Sequence, residues 1–574
     1  WRIEPSDSAA YRRGELVRPV KQLVFYIDSL MPVKWNPYIK AGAESWNKAF
    51  EKIGFKDVIC VKEFPKNDTL FNANSFDCMT IRYSASWLNS AQTTIHSDTR
   101  TGEILNASIL INANMISVQY ADRIGATVAI DPRVRTTVFP QEIQGELIQA
   151  AIAQAVGTGL GLTMNWGASC AYPVDSLRSA SFTQKYGLAS SVMGGVIIND
   201  VATEEDVRNG VCLVNAKPGP YDELVIKYLY QPIYASSLQE EKETLDSWIR
   251  EHTGDPYYAY IRNQSRFDSD PRNSRGSLGD DHLKSFDYML PNVRKGFENY
   301  YSWFAKEDRD FLMRRRVHSA LSERLSGRIY AILSYIGGIY LNDIREKDAI
   351  PSYSMVDREK QKAALSKALE LAKNLDWVDD TAHLNEFEIS DKKADRLRLD
   401  IFNGIFGRLP YVEVCTERFP GAAYTASEYL DDIYGIVWEG VLKHRPLENF
   451  ERALQTAFLE SIISTSTATA PIGSFKASKT GFAATGKPGI NLAALRNGGK
   501  VDMKMHSLQN AEEVAGFSSI PPIYTNQTKI AAYYFDLLMR TKDMLKKAIS
   551  TAPEADRSHY DLLIYRINKA TEIE

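Results

Sequence analysis

Apolar and polar positions change period along the chain, and the change predicts two kinds of structure. Leu23-Val24-Phe25-Tyr26-Ile27 is an unbroken apolar run of β-formers, the pattern of a strand buried on both faces. Pro37 then opens a helix where its missing N–H costs nothing. Ile39, Ala43, Trp46 and Phe50 follow as one apolar stripe, and Gly54 closes it. Val58 to Val61 reads as a second strand, and Met79, Ile81 and Tyr83 alternate with polar residues in a third. Ile109-Leu110-Ile111 lies in a fourth, after a turn at Thr101-Gly102. A helix from about Gln141 to Gly157 comes next, and a Gly- and Ser-rich irregular stretch runs to about residue 200. The pattern up to residue 235 predicts an α/β layer followed by a loop-dominated subdomain.

From about Tyr221 onward the period is helical. Leu365, Ala368, Leu369 and Ala372 form one stripe; Leu430, Ile433, Val437 and Val441 form another, with Thr425 and Glu428 as a capping box at its start. Residues 468–500 break the pattern with six glycines, two prolines and a basic bias, and read as a long mobile or partner-contacting loop. Helices resume after about Ser507, interrupted by Pro521-Pro522. The expected organisation is an α/β domain over 1–235 and a mainly α-helical region over 236–574, with the Gly/Lys-rich loop at 468–500 inside it.

Composition narrows the class. With 574 residues, 44% hydrophobic and 24% charged, the chain can bury cores in about three or four domains, which excludes a disordered or collagen-like protein. The net charge is −4, too small to favour nucleic acid or anionic lipid. The longest nearly apolar run, Ile329 to Leu341, is far shorter than the roughly 20 residues a membrane-spanning helix needs. Cys60, Cys78, Cys170, Cys212 and Cys415 contain no Cys-x-x-Cys pair, and read as small buried residues. The chain opens at Trp1 inside a charged, structured-looking segment, so it reads as a piece of a longer precursor.

Few segments carry candidate chemistry. Gly481 to Lys487 has the spacing of a phosphate-binding loop, but Pro488 stands where a Ser or Thr would hold Mg²⁺, and no strand or helix flanks it; chance accounts for it. Arg314-Arg315-Arg316 lies in a helical stretch without aromatic platforms and reads as a solvated face. Ile152 to Asn165 is a small-residue helix ending in a glycine-rich turn, with no acid, base or thiol in it. By itself it reads only as a tightly packed helix.

That segment carries a resemblance. Val156-Gly157, Leu160-Gly161-Leu162 and Asn165 keep the frame of His-Glu-x-Gly-His-Thr-Leu-Gly-Leu-x-His-Asn. Ala168-Ser169, Tyr172-Pro173, Ser181-Phe182, Lys185-Tyr186-Gly187, Ser191-Val192-Met193 and Gly219-Pro220-Tyr221-Asp222 continue it. Trp1 to Pro5, Lys34 to Tyr38, Arg100 to Leu105, Leu278 to Asp281 and Tyr424-Thr425 extend it over most of the chain. The sequence resembles the large secreted or lipid-anchored zinc metalloproteases of the Bacteroidota, whose metzincin-like peptidase domain precedes a long helical region.

The resemblance implies a metzincin-like α/β fold, a twisted mixed sheet with an active-site-type helix, and it makes Met193 the Met-turn. It also implies that this chain has lost its chemistry. The three zinc-ligand positions fall on Gln154, Thr158 and Met164, and the catalytic glutamate falls on Ala155. Such a site needs two imidazoles one helical turn apart, a third from the following turn, and a carboxylate to accept a proton from metal-bound water. An amide, a hydroxyl, a thioether and a methyl supply none of these. Gly194-Gly195 replaces the acidic residue usual after the Met-turn. No histidine lies between His96 and His252 to substitute; His96 and Asp98 are candidate cleft-lining residues.

The expectation is therefore a pseudopeptidase with no zinc and no catalytic residue, acting as a binding or scaffold protein. The implied partners are other envelope or outer-membrane proteins or extended peptides, and not nucleic acid. The implied location is the cell envelope, on the periplasmic or cell-surface side of the outer membrane, with a tether upstream of Trp1. Two alternatives stay open: an active zinc peptidase with non-standard ligands, and a structural subunit of an outer-membrane complex with a vestigial cleft.

Overall fold

The computed structural model describes residues 1–65, 67–86, 88, 91–261, 269–273, 277–346, 348–383, 393–466 and 527–571. Five strands, β1 (Leu23–Ile27), β2 (Ile59–Glu63), β3 (Met79–Ser84), β4 (Ala91–Ser97) and β5 (Ile104–Asn112), form one sheet in the order β2-β1-β3-β5-β4. The pairs β1–β2, β1–β3 and β3–β5 are parallel, whereas β4 runs antiparallel to β5 at the edge, with Thr93 opposite Ile109. Parallel strands need covering on both faces, and apolar runs make β1, β2 and β5 legible, whereas β3 shows in its alternation of Met79, Ile81 and Tyr83 with polar residues. β4 is an edge strand, Ala-Gln-Thr-Thr-Ile-His-Ser, with one large apolar residue, so its sequence hid it.

Short α1 (Ser8–Arg12) precedes the sheet. The predicted stripe forms two helices, α2 (Asn36–Glu44) and α3 (Asn47–Glu51), and Ile39, Ala43, Trp46 and Phe50 are all fully buried. Gly54 follows with φ +90°, the left-handed conformation that lets the chain leave the helix. After β5 come α4 (Ala113–Thr127), which the periodicity did not announce, and α5 (Gln141–Gly159), which it did. Residues 166–178 and 192–194 are short 3₁₀ turns around α6 (Ala180–Tyr186), the expected irregular subdomain. The chain continues through α7 (Glu204–Arg208), α8 (Pro220–Tyr230), α9 (Leu238–Arg250), α10 (His282–Phe304), α11 (Leu312–Leu333), the two-stranded β6–β7 (Ile339–Leu341, Tyr353–Met355) and α12 (Arg358–Lys373).

The chain forms two compact units, Trp1–Ala364 with Asp376–Ser390, and Leu365–Leu375 with Asp391–Glu574. The boundary drawn from sequence at residue 235 therefore falls inside the first unit. Residues beyond it are sewn into the irregular subdomain: Gly279 N–H donates to the Ser169 carbonyl at 2.8 Å and Asp280 N–H to that of Tyr172 at 2.9 Å. Gly279 has φ +81°, and a Cβ there would stand 2.5 Å from Val174 Cγ2. Fully buried Asp200 also accepts from Arg324 Nε at 2.6 Å and Arg328 Nε at 2.8 Å, fixing α11 to the same loop. Helical period alone marks secondary structure, not which core a helix joins.

In the second unit, α13 (Lys393–Gly407), α14 (Leu409–Arg418), α15 (Ala426–Val437), α16 (Glu439–Leu442), α17 (Asn449–Ser466), α18 (Gln527–Ala548) and α19 (Glu554–Thr571) form a helical array. The Thr425–Glu428 capping box is present, but the stripe breaks at Trp438, placing Val441 on α16. The expected loop at 468–500 lies outside the described residues. Arg314 departs from the solvated-face reading: it is buried, donates to the Asp308 carbonyl at 2.9 Å, and lies over the Tyr301 ring, while Arg315 and Arg316 are exposed. The five cysteines are free, with Cys78, Cys170 and Cys415 buried and Cys60 and Cys212 partly so. No helix among the described residues is long and apolar enough to cross a membrane.

Candidate functional site

The site begins with the composition of α5. Ala and Gly give it a narrow cylinder, and α2 approaches until a Cβ on Gly42 would stand 2.6 Å from the Gln149 carbonyl. A Cβ on Gly157 would meet Trp46 Cζ2 at 2.5 Å and Met193 Sδ at 2.6 Å. The Trp46 indole N–H donates to the Ala153 carbonyl at 2.8 Å. Between residues 151 and 160 only Gln154 and Thr158 are not buried. These two partly open positions, i and i+4, lie on one strip of an otherwise buried stretch of helix. Gly157→Ala is expected to lower the unfolding free energy by roughly 1–3 kcal/mol, because Trp46 and Met193 must move; chemical denaturation measures it.

The helix ends in a Schellman motif. Gly161 has φ +92°, Gly161 N–H donates to Thr158 O at 2.9 Å, and Leu162 N–H to Gly157 O at 3.1 Å. That reversal returns Met164 to the helix, where Gln154 Nε2 donates to Met164 Sδ at 3.1 Å. Two remote side chains cap the same end: the Trp1 indole N–H donates to Gly159 O at 2.8 Å and the Tyr230 hydroxyl to Leu160 O at 2.6 Å. Asn165 is fully buried, donating to Ala259 O at 2.9 Å and accepting from Ile261 N–H at 3.1 Å.

The turn that carries Met193 packs against this helix. Met193 is fully buried, and its carbonyl accepts from Asn165 N–H at 3.0 Å. Ser191 Oγ accepts from Met193 N–H at 2.9 Å and donates to Asp222 Oδ1 at 2.5 Å. Asp222 Oδ2 accepts from Val192 N–H and Gly219 N–H, both at 2.9 Å. Asp222 thus clamps the turn to the start of α8. Burial with no cation beside it outweighs the three donors and raises its carboxyl to about 7. The role of Asp222 was not legible, since one carboxylate after Gly-Pro-Tyr looks like any helix N-terminus.

The edge strand closes the other side. Thr93 Oγ1 donates to Ala155 O at 2.9 Å, tying β4 to α5 one residue past Gln154. Thr158 Oγ1 turns back to Gln154 O at 3.3 Å. Ala155 itself is buried, with its methyl in the core shared by sheet and helix. Strand alternation sends Thr93 toward α5 and His96 to the opposite face, where its ring lies 5.7 Å from that of Phe76. Asp98 sits in the turn after β4 and pairs with Arg100 at 2.9 Å. The structure thus gathers Gln154, Thr158 and Met164, and engages His96 and Asp98 elsewhere.

A mixed sheet with an antiparallel edge strand, packed against a buried helix that ends in a glycine reversal, makes an α/β domain. The Met-zincin family model matches residues 136–445, more than half of the chain, and the chain belongs to that family. No curated protein and no solved structure matches it.

The family description implies a zinc ion, and the donor set does not fit one. Gln154 offers an amide already donating to Met164, Thr158 a hydroxyl already donating to the backbone, and Met164 a soft thioether. Among the described residues no group of three or more His, Cys, Asp or Glu side chains is drawn together.

Proposed function

We propose that this chain is a catalytically inactive metzincin-like protein that holds extended peptides by strand addition to β4 and serves as a binding or scaffold protein of a bacterial cell envelope. The observation that carries the reading is the contact between Gln154 and Met164, which fills the ligand positions of an otherwise complete helix and Met-turn frame. Main-chain hydrogen bonds to an open sheet edge need no metal, and β4 is such an edge, fixed in place by Thr93 and Ala155. The envelope location is supported by the resemblance to secreted and lipid-anchored metalloproteases. A working hydrolase would need ligands and a base from elsewhere, and His96 and Asp98 are turned to other partners.

Hydrogen–deuterium exchange tests strand addition. On adding an excess of unstructured peptides, the amides of residues 91–97 are expected to become protected while those of β1, already inside the sheet, do not change. Unaltered exchange across 91–97 would refute peptide capture at this edge.

A further inference from the structure

We propose a second binding site, apart from β4 and α5, in which a cavity between α4 and α11 takes a small zwitterion of the α-amino acid type. The cavity measures about 210 Å³, large enough for a molecule of that size. Its space comes from missing side chains. Ala121 and Ala320 keep the walls low, and no atom lies within 4 Å of where a Cβ on Gly327 would stand. A glycine inside a helix costs about 1 kcal/mol relative to alanine, and no close neighbour here demands one.

The lining charges are separated by depth. Arg328 is buried and Arg324 partly so, both bound to the single fully buried carboxylate of Asp200, and Arg324 Nη2 also donates to Ile198 O at 3.2 Å. Two guanidiniums sharing one carboxylate leave an excess positive charge, and Arg328 Nη1 is buried without a hydrogen-bond partner. Asp122 and Glu323, both exposed, supply carboxylates at the open end. The preorganised guanidinium end suits a carboxylate, and the acidic mouth suits an ammonium. A ligand carrying an ammonium and a carboxylate on one carbon satisfies both kinds of lining charge together, whereas a simple anion or cation is repelled by one of them.

Saturation-transfer NMR on the methyl signals of L-alanine, acetate and methylammonium tests the site with the full chain. Saturable transfer to L-alanine is expected, with acetate and methylammonium at least about tenfold weaker. Gly327→Leu fills the cavity, and Asp122→Asn with Glu323→Gln neutralises its mouth while leaving Asp200, Arg324 and Arg328 in place. Both variants should weaken L-alanine by about tenfold or more while keeping the wild-type circular dichroism. Absent transfer to L-alanine, acetate binding equally well, or undiminished transfer in either folded variant would overturn the proposal.

Discussion

Relative to Asp222→Asn, the wild type is expected to lose stability as pH rises from about 4 to about 7; His282 and His559, lowered by burial to about 4, act in the opposite direction in both proteins and cancel in the difference. The folded carboxyl lies near 7, raised from 3.8 by burial, so between these values the folded chain keeps a proton that the unfolded chain has released. Stability from this group is complete below the lower value and is lost as pH climbs through the upper one, at up to about 1.4 kcal/mol per unit and about 4 kcal/mol in all. Asparagine can reproduce the protonated acid. Its oxygen accepts the Val192 and Gly219 N–H groups, and its amide donates to Ser191 Oγ. Asp222→Ala, in contrast, leaves two N–H groups and a hydroxyl unpaired in the interior and should cost roughly 3–5 kcal/mol at pH 5. Denaturant titrations of the three proteins across this range read both effects. A wild-type profile parallel to that of Asp222→Asn would show that the carboxyl is ionised throughout.

The sequence exposed some of this architecture and concealed the rest for identifiable reasons. β1 matches its apolar run residue for residue, because a central parallel strand must be apolar on both faces. The glycine-rich end of α5 was legible because Gly161 occupies a left-handed position that side chains rarely adopt. The convergence of Gln154, Thr158 and Met164 came from the motif frame, and the reversal at Gly161 explains it. β4 was missed because an edge strand facing solvent has no need of an apolar pattern. The clamp between Ser191 and Asp222 joins residues 31 apart in the chain, and nothing local marks such a pair. The same holds for the reach of the first unit to Ala364, which rests on single glycine, aspartate and arginine contacts rather than on a change of period.

On the proposed reading, the helix, the reversal and the turn at Met193 are a zinc frame whose donors have been replaced, which makes metal binding restorable. Gln154 and Thr158 lie one turn apart on the partly open strip of α5, and Gly161 brings residue 164 back to Gln154. Three imidazoles at 154, 158 and 164 would supply borderline nitrogen donors in place of an amide, a hydroxyl and a thioether. A preformed three-histidine site binds zinc with an apparent free energy on the order of 10 kcal/mol, strongly pH-dependent because the imidazoles must be neutral. The decisive measurement is zinc stoichiometry and affinity, by elemental analysis after dialysis and by competition with a chromophoric chelator. It compares the wild type with the triple variant Gln154→His/Thr158→His/Met164→His. The prediction is no stoichiometric zinc in the wild type and one tightly held zinc per chain in the variant. One zinc bound tightly by the wild type, or none by a folded triple variant, would contradict the claim that an intact metzincin frame has lost only its donors.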